Sequence, residues 1–308
     1  MGLMDFNTIS SGVSPDPNSS YSSTMGLVID VQSLDRMDRE DAQNYVDKLT
    51  KSLQSLRAKK DILITWTTMR EGSQLYLPTS TDNDSKVRDI SEFREMGFYG
   101  VDPEYFNHDI LEKFLTKYGP RTNEVVSCKS FKSALIERED VKGKSDYQET
   151  LQKESGGDFS NQFTSQPTLV EYLRSRGVKS TILMGAVSSH CISETAVSSS
   201  LKGFNPQIAY DLVLSWEGDE NEVEPKTSTL LWRGASPDES DVWNKFHSDK
   251  IHNKLIEISH DPVRRFSANE RSSINGIGFS VIEDILNSSS ISSSPDLNRT
   301  GPVEPSYR

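Results

Sequence analysis

Cysteine is nearly absent: 308 residues hold only Cys128 and Cys191. Two thiols cannot build a disulfide framework, so nothing calls for an oxidising compartment, and a cytoplasmic location is the expectation. Basic residues are outnumbered, 34 Lys and Arg against 46 Asp and Glu, for a net charge of −12. A nucleic-acid partner needs clustered Lys and Arg to neutralise its phosphates, and no basic face is visible, so that class is set aside. Long apolar runs are missing as well, which removes a bilayer-spanning helix and a membrane partner. The N-terminal stretch has neither the basic start nor the apolar core of a signal peptide.

What remains is a chain able to bury a substantial core. Residues 1–24 and 287–308 are rich in Ser, Pro and Asn and read as disordered tails around one domain over 25–286. Inside that domain short apolar runs alternate with longer amphipathic ones, which predicts an α/β fold: a three-layer α-β-α sandwich around a mostly parallel, doubly wound sheet of about six strands. Strands are expected at Met25–Val31, Ile62–Trp66, Glu124–Cys128, Thr181–Val187 and Ile208–Leu214, with a sixth near Leu230–Arg233 or close to Val263. Helices are expected at Asp41–Ala58, Asp109–Tyr118, Leu169–Arg176 and Cys191–Lys202. Gly72–Asp102 and 136–167 interrupt the rhythm and read as long polar excursions, either covering the site or without fixed structure.

Chemistry in a parallel sheet gathers at the carboxyl ends of its strands. Asp30, Lys129 and Cys191 all fall at such ends. Singly, each has an ordinary explanation: a buried inert thiol, a loop-capping acid, a solvated ammonium. Together they form a constellation in which an acid takes the thiol proton, an ammonium holds the sulfur, and amides at a helix start receive an oxyanion. The unpaired N–H groups and dipole at that helix start favour the thiolate. Cys128 adjoins Lys129 on a strand, so its side chain should face the other way, into the core.

Three blocks carry a family resemblance: Leu27-Val28-Ile29-Asp30-Val31-Gln32, Lys129-Ser130-Phe131-Lys132-Ser133-Ala134-Leu135, and Gly185-Ala186-Val187-Ser188-Ser189-His190-Cys191-Ile192-Ser193-Glu194-Thr195-Ala196. In order and spacing they resemble the isochorismatase-like cysteine hydrolases, a superfamily that includes nicotinamidases and N-carbamoylsarcosine amidohydrolase. Leu135 stands where the family has an aromatic residue. The resemblance implies a catalytic triad of Asp30, Lys129 and Cys191. It also implies a non-proline cis peptide just before Val187, which would turn the Val187 and Cys191 amides into an oxyanion hole. The implied reaction is thiolate attack on an amide or carbamoyl carbon of a small molecule, through an acyl-thioester. Two alternatives stay open: vinyl-ether hydrolysis of isochorismate, in which the acid is essential and the thiol is not, and a catalytically silent binding or scaffold protein of the same fold. Assembly into homo-oligomers is implied by the resemblance alone.

Nicotinamidase-like members hold a metal through an Asp-x-His motif and further histidines after the second strand. Here that region reads Trp66-Thr67-Thr68-Met69-Arg70-Glu71 with only His108 nearby, so no metal and no other cofactor is expected. Gln32, Trp66, Arg70 and His190 are the candidates for lining a substrate pocket, Trp66 as an aromatic wall and Arg70 as a carboxylate clamp.

Overall fold

The computed structural model describes residues 23–59, 61–69, 74–80, 85–98, 107–129, 132–137, 167–216, 230–232, 240–262 and 264–288. The expected tails fall outside these residues apart from positions 23–24 and 287–288, as does the 138–166 part of the second excursion.

Strand β1 (Thr24–Ile29) is buried at every position, because parallel neighbours flank it on both sides. Helix α1 (Arg39–Ala58) returns the chain to β2 (Ile62–Met69); its Asp38 side chain caps the Glu40 N–H, and Ala42, Tyr45, Leu49, Leu53 and Leu56 form its buried stripe. The excursion after β2 contributes a short strand, β3 (Gln74–Tyr76), and a short helix, α2 (Ile90–Glu95), entered through an Asp89–Glu92 capping box. Helix α3 (His108–Tyr118) leads into β4 (Val125–Lys129), and α4 (Leu169–Ser175), again boxed by Thr168 and Glu171, leads into β5 (Ser180–Ala186). A π turn over Ser188–Ile192 then opens α5 (Ser193–Leu201), followed by β6 (Asn205–Trp216) and β7 (Leu230–Leu231). Helices α6 (Ser240–Ser259) and α7 (Ala268–Asn275), strand β8 (Gly278–Ser280) and helix α8 (Ile282–Asn287) complete the described chain.

The sheet runs β3-β4-β2-β1-β5-β6-β7, with β8 joining β6 beside β7. Strands β4, β2, β1, β5, β6 and β8 pair in parallel, and only β3 and β7 among the described strands run antiparallel. This is the expected α/β fold, with differences at its edges. Of the two places offered for a further strand, Leu230 holds a two-residue antiparallel piece; the sixth parallel strand is β8, at Gly278–Ser280. Its three residues are too short to show a period. Strand β3 is hidden for the same reason.

Alternation along the strands separates two cores. Val28, Ile64, Trp66 and Val126 pack under α1, α3 and α8. Met25, Leu27, Ile29, Val125 and Leu183 face α4, α5, α6 and α7. Helices thus cover both faces. The sheet reverses its winding between β1 and β5, the position where doubly wound sheets open a crevice at the strand carboxyl ends.

Candidate functional site

Asp30 directly follows β1 in a left-handed conformation, φ 53° and ψ 46°, with its N–H donated to the Thr67 carbonyl at 3.0 Å. That geometry turns the chain off the sheet while leaving the carboxylate at the strand end. Cys191 lies in the turn after β5, reached through the cis peptide bond between Ala186 and Val187. Lys129 is the last residue of β4, separated from β1 by all of β2. Two strand spacings amount to about 10 Å, so only a long side chain can cross from β4 to β1, and the four-carbon stem of Lys does so.

The three side chains meet. Lys129 Nζ donates to Asp30 Oδ2 at 2.8 Å and to Cys191 Sγ at 3.2 Å. A third acceptor, Met69 Sδ, lies at 2.9 Å. The Lys129 and Asp30 side chains are 4% and 3% exposed, so this is an ion pair withdrawn from water, held by Coulomb attraction that the surrounding low dielectric strengthens. Asp30 Oδ1 is also buried and accepts no hydrogen bond from a described protein group.

Electrostatics at the thiol differ from the expectation drawn from sequence. Burial pushes the Cys191 thiol up to about 12, the Asp30 carboxylate adds to the rise, and Lys129 only partly opposes it. For Lys129, burial acts against the charge, but Asp30 and Cys191 outweigh it and the ammonium is held above its ordinary range. Burial and the neighbouring acid thus favour the protonated thiol over the thiolate, while the ammonium is favoured at Lys129. The position at a helix start favours the thiolate, whereas desolvation, the largest influence, and Asp30 favour the thiol.

Supporting contacts explain why the three sequence blocks look as they do. Ala134 N–H donates to Thr195 Oγ1 at 3.0 Å, and Ser133 Oγ donates to Ser198 Oγ at 2.9 Å, so the segment after Lys129 is tied to the helix after Cys191. Gly185 has φ +115°, and a Cβ there would stand 1.9 Å from the Ile29 carbonyl oxygen. Glu194 accepts a two-pronged contact from Arg264, at 2.7 and 2.6 Å, which anchors the first turn of α5 to the segment after α6.

Of the residues expected to line a pocket, Gln32 sits half-buried in the 3-10 turn after Asp30, and its Oε1 is buried without a described protein partner. His190 is half-buried in the π turn and shares a 2.8 Å hydrogen bond with Ser189. Arg70 lies outside the described residues. Trp66 is a correction: it is fully buried on the opposite face of the sheet, edge-on to Phe98, with its Nε1–H donated to Glu124 at 2.8 Å. Strand parity decides this, since Trp66 shares its face with Ile64 and Val126, whereas Met69 and Lys129 point to the other. Cys128 shows the complementary outcome: it is buried, with its thiol donating to the Met96 carbonyl at 3.3 Å, away from Lys129. Met69 is a site residue that the sequence reading misses. A signal for it exists, because Met69 is the register partner of Lys129 at the end of an adjacent parallel strand.

Among the described residues no group of His, Cys, Asp or Glu is placed to hold a metal ion. Nor is any described helix long and apolar enough to cross a membrane.

Residues 145–226 match the model of the isochorismatase domain, a span that holds Cys191 and the cis bond but neither Asp30 nor Lys129. No curated protein sequence matches the chain. Among solved structures, the chain is similar to a cysteine hydrolase from Pseudomonas syringae pv. phaseolicola 1448A, at 14% identity over 90% of this chain and 97% of the other, TM-score 0.42. An isochorismatase-like hydrolase from Alkaliphilus metalliredigens is similar at 11% identity over 86% and 97%, TM-score 0.41. N-carbamoylsarcosine amidase from Thermoplasma acidophilum is similar at 14% identity over 73% and 93%, TM-score 0.35. Likeness at this level carries no functional weight. The segment 145–226, which holds Cys191, is thus similar to the isochorismatase domain, and Asp30 and Lys129, from outside that segment, meet Cys191 at the strand ends.

Proposed function

We propose that this protein is a cysteine hydrolase that cleaves the C–N bond of an amide or carbamoyl group in a small molecule, with Asp30, Lys129 and Cys191 as its catalytic residues. The observation that carries the reading is the ammonium of Lys129 lying 2.8 Å from Asp30 Oδ2 and 3.2 Å from Cys191 Sγ.

Burial and Asp30 favour the protonated thiol, so its proton leaves as the sulfur attacks. Asp30 takes that proton while the S–C bond forms, and Lys129 holds the carboxylate and the developing thiolate in place. The oxyanion that forms is received by the backbone amides of Val187 and Cys191. Asp30 then returns the proton to the nitrogen as the C–N bond breaks, which releases an amine or ammonia and leaves an acyl-thioester on Cys191. Water attacks the thioester with Asp30 again as base, and the thiol is restored. Gln32, in the turn that follows Asp30, and His190, the neighbour of Cys191, contact the substrate.

The test is a panel of small amides and carbamoyl compounds, read by amine or ammonia release and by mass spectrometry of the quenched protein. An acyl adduct confined to Cys191, with release abolished in Cys191→Ala, is the expected result. Pyruvate and a dihydro-dihydroxybenzoate from isochorismate, undiminished in Cys191→Ala, would move the chemistry to the vinyl ether. No turnover and no adduct across the panel and isochorismate would leave the binding-protein reading standing.

A further inference from the structure

Met69 stands where an ordinary surface methionine does not. It ends β2, the strand that lies between β4 and β1, so the Lys129 side chain must pass over it to reach Asp30 and Cys191. Its sulfur lies 2.9 Å from the Lys129 nitrogen. Met69 is 41% exposed, whereas Lys129 is 3% exposed. The methionine therefore takes the solvent-facing place beside a nearly water-free ammonium. A thioether suits that place: it is a weak acceptor for an N–H, its body is apolar, and its flexible stem follows an uneven surface.

We propose that Met69 is a positioning residue of this site, a cover whose apolar bulk keeps water from the Lys129 ammonium and hence from Cys191 and Asp30. The inference rests on the catalytic reading of those three residues and adds a fourth that touches none of the reacting bonds. Burial is the leading cause of the raised Cys191 proton affinity, so the cover has a readout at the thiol. Admitting water beside Lys129 restores solvation to the charged forms and makes the thiolate easier to reach.

The experiment measures alkylation of Cys191 by iodoacetamide, located by peptide mass, as a function of pH between about 7 and 10, where an ordinary thiol with a pKa near 8.5 passes through its transition. In the wild-type protein the rate should climb throughout the range without levelling. Met69→Ala should level off within it, and should react several-fold faster at the low end. Met69→Leu, which keeps the bulk and loses the sulfur, should retain the wild-type profile. The shape of the curve is the deciding quantity, since easier access raises the rate without bending it. Circular dichroism of each variant confirms that the fold is kept. A Met69→Ala curve that climbs like wild type overturns the proposal, and so does a Met69→Leu curve that levels with the Ala one. A wild-type curve that already levels at an ordinary thiol pH counts against the description of the site itself, and so separates the two failures.

Discussion

The hydroxyl of Thr195, one turn beyond Cys191, accepts the backbone N–H of Ala134 at 3.0 Å in a fully buried setting. This bond joins the segment that follows Lys129 to the helix that follows Cys191, two stretches the chain order keeps far apart. Replacing Thr195 by Val keeps the shape and leaves that N–H without an acceptor. The expected loss is about 1–3 kcal/mol of unfolding free energy, read from urea denaturation, with Thr195→Ser recovering most of it. A Thr195→Val protein as stable as wild type would mean that the two segments hold together without this bond.

Gly185 and Gly203 both have positive φ, +115° and +81°, but their surroundings differ. At Gly203 nothing lies within 4 Å of where a Cβ would stand, so Gly203→Ala carries only the left-handed strain of about 1–2 kcal/mol. At Gly185 the added carbon would meet the Ile29 backbone at 1.9 Å, between two central strands that cannot part. Gly185→Ala is expected to leave little soluble folded protein, and Gly203→Ala to shift the urea midpoint modestly. Comparable behaviour of the two would contradict the close approach of β1 and β5.

Much of this architecture is legible from residue patterns because its central strands are long enough to show a run of apolar residues and its helices long enough to show a stripe. The α1 stripe from Ala42 to Leu56 is of that kind. Strands β3 and β8, three residues each, carry no period and are fixed only by their neighbours. The trio at the site is legible because each member sits at a strand end, where position in sequence implies position in space. Two departures have separate physical causes. Closeness to the strand end points Trp66 toward the pocket, whereas the alternation of side chains puts it on the far face. The helix start points Cys191 toward a thiolate, whereas burial and Asp30, which act against it, come from packing that no local pattern reveals.

Trp66 has a structural task that can be separated from chemistry. Its Nε1–H donates to Glu124, which also accepts from Arg57 at 2.7 Å, so the indole is one donor in a buried network around a carboxylate. Trp66→Phe removes a hydrogen bond to a charged group and should cost about 2 kcal/mol or more in urea unfolding. The pH profile of Cys191 alkylation should be unchanged, because the ring lies across the sheet from the thiol. A change in that profile without loss of stability would return Trp66 to the pocket.

Asp30 and Lys129 act on the thiol in opposite senses, and this yields a prediction whose sign is counter to the usual effect of removing a catalytic base. The carboxylate raises the Cys191 proton affinity and the ammonium lowers it. In Asp30→Asn the anion is gone and the cation remains, so the thiolate becomes easier to form. Iodoacetamide should therefore modify Cys191 faster than in wild type near neutral pH, while hydrolysis of any amide substrate fails for want of a group to move the proton. Lys129→Gln should do the reverse at the thiol, slowing alkylation, and should also strand a buried carboxylate at about 3–5 kcal/mol. Each variant is compared as folded protein, at a urea concentration well below its own midpoint. If Asp30→Asn were to alkylate more slowly than wild type, the carboxylate would have been assisting ionisation of the resting thiol. Cys191 would then be better described as a standing thiolate than as a thiol that ionises only when substrate arrives.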